Sequence, residues 1–113
     1  MHELSIMESA VNQALAQARQ AGASQVHGIR LRIGTLSGVV PEALQFAFEA
    51  VAAGTPAEHA VLTIETVPAR FWCAPCGREF AAPDFFGECP DCHTPSAELR
   101  AGREMELTSL EIE

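Results

Sequence analysis

The sequence predicts an α+β fold: two helices packed on a three-stranded sheet, with a four-cysteine module inserted into it. Three observations carry this. Apolar residues recur at helical spacing in two segments, over 5–21 and onward from Pro41. They alternate, or run β-rich, in three others. All four cysteines, four of the seven prolines and the only tryptophan fall in residues 69–102, between the second and third of those strands.

In the first helix Leu4, Met7, Val11, Ala14, Leu15 and Ala18 form the apolar stripe. Ser5 and Glu8 read as an S-x-x-E capping box, so residues 1–4 precede the helix or form its ragged first turn. Gly22 is a natural stop. The segment VHGIRLRIG then alternates, with His27, Ile29, Leu31 and Ile33 on one face, which predicts a half-buried strand with His27 as a core histidine. Pro41 suits the first position of the second helix. There Leu44, Ala47, Phe48 and Val51 are expected to be buried, with Gly54 as the end. TPAEH is a turn, in which His59 is a solvated residue. AVLTIETV is the second strand, with Leu62 and Ile64 on one face. The third strand is 104–112. Its apolar residues change phase between Leu107 and Leu110, which predicts a bulge or strong twist near Thr108.

Residues 69–102 differ in character. Their large apolar side chains are mostly aromatic: Phe71, Trp72, Phe80, Phe85 and Phe86. The expected domains are thus 1–68 with 103–113, and an inserted 69–102. At 113 residues the chain fits one domain with a smaller satellite.

Bulk charge narrows the partners. The net charge is −8, and all seven basic residues are arginine. Nucleic acid and anionic membrane surfaces both need a cationic footprint that this chain lacks. A partner with a basic patch, or a cation, suits it better. No apolar run approaches the ~20 residues that span a bilayer. There is no basic n-region with an apolar h-region to suggest export, so a cytoplasmic location with reduced thiols is expected.

The cysteines come as Cys73-Ala-Pro-Cys76 and Cys89-Pro-Asp-Cys92, twelve residues apart. A C-x-x-C turn places two sulfurs on one side of a tight knuckle, and two facing knuckles offer four thiolates in a tetrahedron. Gly77 follows the first pair where a knuckle calls for positive φ. A segment this short cannot offset its ordering cost of about 1.5 kcal/mol per residue with five aromatics. A structural metal in peptide models supplies on the order of 10–16 kcal/mol. The module therefore reads as zinc-ribbon-like, with no ligand position open for catalysis. Iron in the same four-sulfur geometry stays open. Cys89-Pro-Asp-Cys92-His93 also matches the c-type haem attachment pattern, but that would leave the first pair unexplained. A redox dithiol expects a βαβ context that is absent here. His93 reads as a solvent-facing residue beside the knuckle.

The chain opens Met1-His2-Glu3. A bulky second residue keeps the initiator methionine in place. The α-amine, the His2 backbone nitrogen and the His2 imidazole then lie in series and can wrap one cation in fused chelate rings. Such a nitrogen-rich set suits Ni(II) or Cu(II). Glu3 can add an oxygen or a deprotonated amide.

Taken together, MHELSI, RIGTLSGV, PEALQFAFE, two C-x-x-C units, CPDCH and the closing ELTSLEIE resemble the HypA/HybF family of hydrogenase nickel-incorporation proteins over the whole chain. The resemblance implies a nickel-binding domain with an inserted zinc domain. It implies delivery of Ni(II), as transient cargo, to the large subunit of a nickel–iron hydrogenase, with a HypB-type GTPase as partner and a monomer or weak homodimer as the working form. It makes His2 the principal nickel ligand, with Met1 and Glu3 contributing, and Cys73, Cys76, Cys89 and Cys92 the ligands of structural Zn(II). Some relatives have an aspartate where Val40 stands, and some have a histidine soon after the first C-x-x-C, where Gly77-Arg78 follows here. The implied protein is a metallochaperone and not an enzyme. The competing reading is a zinc-ribbon adaptor that docks proteins and gives His2 no nickel role.

Overall fold

A computed structural model describes residues 3–82 and 87–113. Helix α1 spans Glu3–Gln20 and α2 spans Pro41–Ala52. Strands β1 (Val26–Gly34), β2 (Val61–Val67) and β8 (Met105–Ile112) form a three-stranded sheet in the order β2-β1-β8. Between β2 and β8 lie β3 (Arg70–Cys73), β4 (Arg78–Ala81), β5 (Gly87–Glu88), β6 (Pro95–Ser96) and β7 (Leu99–Ala101). The fold is α+β, as the periodicities predict. Phe85 and Phe86 lie outside the described residues.

The chain divides into two compact units. The first contains Met1–Arg32, Val39–Glu65 and Glu106–Glu113. α1 and α2 pack on each other here. Met7, Val11, Ala14 and Ala18 of α1 and Leu44, Ala47, Phe48 and Ala52 of α2 are buried, as are Ile29, Leu31 and Leu62 of the sheet. Each large side chain among them contributes roughly 1.5–3 kcal/mol.

Several details differ from the sequence expectation. α1 already starts at Glu3, so Ser5 lies inside its first turn and cannot be an N-cap. Leu4, expected in the buried stripe, is instead 53% exposed in the first turn. His27 is not a core residue. Val26 takes the buried position at the start of β1, and the His27 ring turns to solvent, with Nε2 2.6 Å from Glu113 Oε1. In α2, Ala52 is buried and Val51 only half-buried. His59 is solvated, as expected. In β8 the half-buried residues are Leu107 and Leu110, one odd and one even, so side-chain burial changes phase across Thr108 and Ser109.

α2 has an unusual start. Its N-cap is Val40, which has no side chain able to cap, and Pro41 follows. The Val40 N–H donates instead to the Glu3 carboxylate of α1, at 3.2 Å. At the other end Thr55 Oγ1 donates to Ala52 O at 2.7 Å, satisfying a terminal carbonyl.

The second unit contains Thr66–Met105 and also Ile33–Gly38. Backbone hydrogen bonds explain why the latter segment belongs there. Gly34 N donates to Glu104 O, Thr35 N to Val67 O and Leu36 N to Gly102 O, at 2.8, 2.9 and 2.6 Å. Its sheets run β4-β3-β7 and β5-β6. Among the described residues its core cluster is small: Ala69, Phe71, Cys73, Phe80 and Cys89, with Phe71 and Phe80 stacked at 5.9 Å. Two of those five side chains are cysteines, so the core is incomplete without whatever joins them.

Candidate metal centre

Each C-x-x-C sits at the tip of an antiparallel hairpin. β3 pairs with β4 in a register that sets Cys73 opposite Arg78, so the first knuckle is their turn. β5 pairs with β6, Glu88 opposite Pro95, and the second knuckle fills the turn between. Both knuckles close alike. Gly77 N donates to Cys73 O at 2.8 Å, and His93 N donates to Cys89 O at 2.9 Å. Gly77 has φ 64° and His93 φ 60°. His93 is the only non-glycine with positive φ among the described residues.

The two tips bring four sulfurs together. All lie within 4.8 Å of one another. Cys73 and Cys92 are 3.4 Å apart and Cys76 and Cys89 3.9 Å apart. A tetrahedron with arms of about 2.3 Å, as zinc makes with thiolates, has edges near 3.8 Å. The donor set therefore fits a four-thiolate ion such as zinc, which would supply a crosslink between the two hairpins. Cys73 and Cys89 are buried, and Cys76 and Cys92 face solvent.

Four thiols this close cannot all ionise without a cation, and their acidities split. The Cys92 thiol is pulled down to about 6, chiefly by the Thr94 side chain, then by its backbone. Cys92 Sγ and Thr94 Oγ1 are 3.2 Å apart. Cys76 is pushed up to about 12, chiefly by Cys92 and Cys73.

Outside the sulfurs, an ion pair and a hydrogen bond brace the tips. Arg78, next to the first knuckle, pairs with Asp91 inside the second. His93 Nδ1 is 3.0 Å from Glu88 Oε1. Its side chain is otherwise exposed, and that agrees with a solvent-facing residue. Neither pair was visible in the sequence, because each depends on how the knuckles face each other. Thr94, two residues after Cys92, carried a faint signal as a hydroxyl within reach of a thiolate.

Of the other candidate ligands, Met1 and His2 lie outside the described residues. Glu3 is in the first turn of α1, with its carboxylate on the Val40 amide. No helix among the described residues is long and apolar enough to cross a membrane.

An α+β unit joined to paired cysteine hairpins places the chain in the class of metal-handling proteins. The family model for HypA, the hydrogenase/urease nickel-incorporation metallochaperone, matches residues 1–112. The hydrogenase maturation factor HypA of Picosynechococcus sp. PCC 7002 is 54% identical over 112 residues, covering 99% of both chains. That of Acidithiobacillus ferrooxidans is 43% identical over 113 residues, covering 100% of both. The solution structure of the Ni metallochaperone HypA from Helicobacter pylori superimposes with a TM-score of 0.68 at 26% identity, covering 99% of this chain and 97% of that one. A further solution structure of a HypA protein gives a TM-score of 0.72 at 28% identity, covering 99% of this chain and 96% of that one. The chain belongs to the HypA family. Its relatives are maturation factors and not enzymes, in agreement with the sequence expectation.

Proposed function

We propose that this protein binds Ni(II) at its N-terminus and delivers it to the large subunit of a nickel–iron hydrogenase during maturation. His2 is the principal ligand, through its imidazole and backbone nitrogen. Met1 contributes its α-amine and Glu3 its backbone nitrogen. The observation that carries this is the family match beginning at residue 1, which takes in the chelating tripeptide itself. Residues 1–68 with 103–113 form the nickel-binding domain. Residues 69–102 form the inserted domain, in which Cys73, Cys76, Cys89 and Cys92 hold a structural Zn(II). The partners are the hydrogenase large subunit and a HypB-type GTPase, in the cytoplasm, with the chain a monomer or weak homodimer.

The chemistry of such a chelate suits a carrier. A chelate built on the first residues can be peeled off one arm at a time, whereas the four-thiolate site is closed. A carrier must also release its cargo, so micromolar affinity, about −8 kcal/mol, is the expected scale. Titrating Ni(II) into the zinc-loaded protein, followed by absorbance and calorimetry, tests this. One equivalent should bind to the native chain and none tightly to His2→Ala, with zinc content the same in both. Undiminished nickel binding by His2→Ala would refute the assignment and favour the adaptor reading.

A further inference from the structure

The outward face of α2 carries the most exposed large apolar side chain among the described residues. Phe46 is 77% exposed, although Phe48, two residues on, is buried. On a helix, Glu42 at i−4, Glu49 at i+3 and Ala50 at i+4 lie beside Phe46 on one surface, and all three are exposed. No basic residue occurs in α2. Neither Glu42 nor Glu49 has an ion-pair partner among the described residues. The fold itself gains nothing from a phenylalanine there. Alanine is a better helix former, and a ring left in water forfeits its transfer free energy.

We propose that this face, Phe46 flanked by Glu42 and Glu49, docks a protein partner that presents an apolar pocket rimmed by arginine or lysine. An aromatic anchor within a charged rim is the form that binding hot spots take. The acidic rim selects the sign of the partner's charge. A second copy of this chain is a poor occupant. Two α2 faces in contact would oppose four carboxylates with no cation on either helix.

The position of Phe46 gives docking a consequence. The Val40 amide at the N-cap of α2 donates to the carboxylate of Glu3, so the first turn of α1 lies against the start of α2. Phe46 is six residues further on, a helical rise of about 9 Å. A partner seated on Phe46 is thus about a nanometre from Glu3, the last residue of the proposed chelating tripeptide. This purpose, though not the binding itself, rests on the N-terminal cargo reading: docking brings the acceptor to the nickel.

The test uses the full-length zinc-loaded chain titrated calorimetrically with two purified proteins, the GTPase partner and the hydrogenase large-subunit precursor, at low and high salt. Phe46→Ala should weaken binding to one of them at least tenfold, with melting temperature and nickel stoichiometry unchanged. Glu42→Gln combined with Glu49→Gln should weaken the same complex several-fold and flatten its salt dependence. The proposal is overturned if Phe46→Ala binds both proteins as the native chain does, or if the native chain binds neither. It is equally overturned if Phe46→Ala only abolishes self-association, which would make a second copy the occupant. Loss of nickel binding is scored separately with His2→Ala, so failure of the cargo reading leaves the docking result standing.

Discussion

Gly77 and His93 hold the same station in the two knuckles. Each follows the second cysteine of its pair, each has φ near 60°, and each donates its amide to the carbonyl of the first cysteine. The repeat is structural as well as sequential, but the two residues meet its demand differently. Glycine adopts positive φ freely, whereas a residue with a Cβ is strained by about 1–2 kcal/mol. His93 bears that strain with its ring held by Glu88.

The first prediction follows from this asymmetry. Gly77→Ala should destabilise the four-cysteine unit by about 1 kcal/mol, all of it backbone strain, because a Cβ there meets nothing within 4 Å. His93→Gly should change stability by less, since relief of strain offsets the lost Glu88 pair and the added chain entropy. Chelator-driven unfolding followed by Trp72 fluorescence would measure both. A larger loss for His93→Gly than for Gly77→Ala would mean that the imidazole does more than pair with Glu88.

The second concerns the join between Gly34 and Gly102. A Cβ on Gly34 would lie 2.1 Å from the carbonyl carbon and oxygen of Gly102, both backbone atoms that cannot swing aside. Gly34→Ala should therefore break the hydrogen bonds of Ile33–Gly38 to Gly102 and Glu104 and cost more than about 3 kcal/mol, among the largest single-residue effects expected here. A melting temperature within a few degrees of native would show that the segment can shift at little cost.

The third concerns metal removal. With Ala69, Phe71, Cys73, Phe80 and Cys89 as its core cluster among the described residues, the second unit should lose its tertiary structure on chelation or in Cys73→Ala. The core of α1 and α2 should persist, because its buried residues lie elsewhere in the chain. Elemental analysis should find one zinc per native chain and little in the variant. Full zinc in Cys73→Ala would contradict the four-thiolate assignment.

The fourth is a pH dependence of metal retention. All four thiols must lose their protons to hold the metal, so zinc should be released as pH falls. Thr94 Oγ1 lies 3.2 Å from Cys92 Sγ and favours its thiolate, pulling that thiol down to about 6 from its ordinary 9.0. Thr94→Val removes this support, so its zinc should be released at a higher pH than that of the native chain, as read by a chromogenic chelator. Release at the same pH in both would show that Thr94 does not stabilise the Cys92 thiolate in the site.

Patterns of local origin were legible in the sequence, and those set by distant neighbours were not. Paired C-x-x-C motifs specify their own knuckles, so the sulfur cluster could be foreseen from spacing. The stripe of Met7, Val11, Ala14 and Ala18 is likewise local, because helix period alone decides it. His27 was misplaced because alternation predicts parity and not where the core ends. Buried Val26 and the nearby Glu113 turn the His27 ring outward. Ser5 looked like a cap because S-x-x-E is a good local signal, yet α1 begins two residues earlier. The Glu3 carboxylate on the Val40 amide joins residues 37 apart, and no local pattern encodes it.

The last prediction concerns the first residues. If nickel is held by the α-amine, the His2 backbone nitrogen and the His2 imidazole, the spacing of these atoms along the chain matters as much as the side chain. Adding one glycine before Met1 moves the amine away from the imidazole and breaks the sequence of chelate rings. That variant should bind Ni(II) at least tenfold more weakly, with fold and zinc content unchanged. His2→Ala should lose tight binding altogether, and affinity should fall at low pH as imidazole and amine take up protons. Glu3→Gln keeps a carbonyl oxygen for the Val40 amide and a backbone nitrogen for the metal, so it should bind nearly as well as the native chain. Glu42→Gln removes only an exposed charge and should cost little. The glycine insertion is the discriminating variant. Native affinity there would exclude the α-amine, and the site would have to use the His2 imidazole with backbone nitrogens further into the chain.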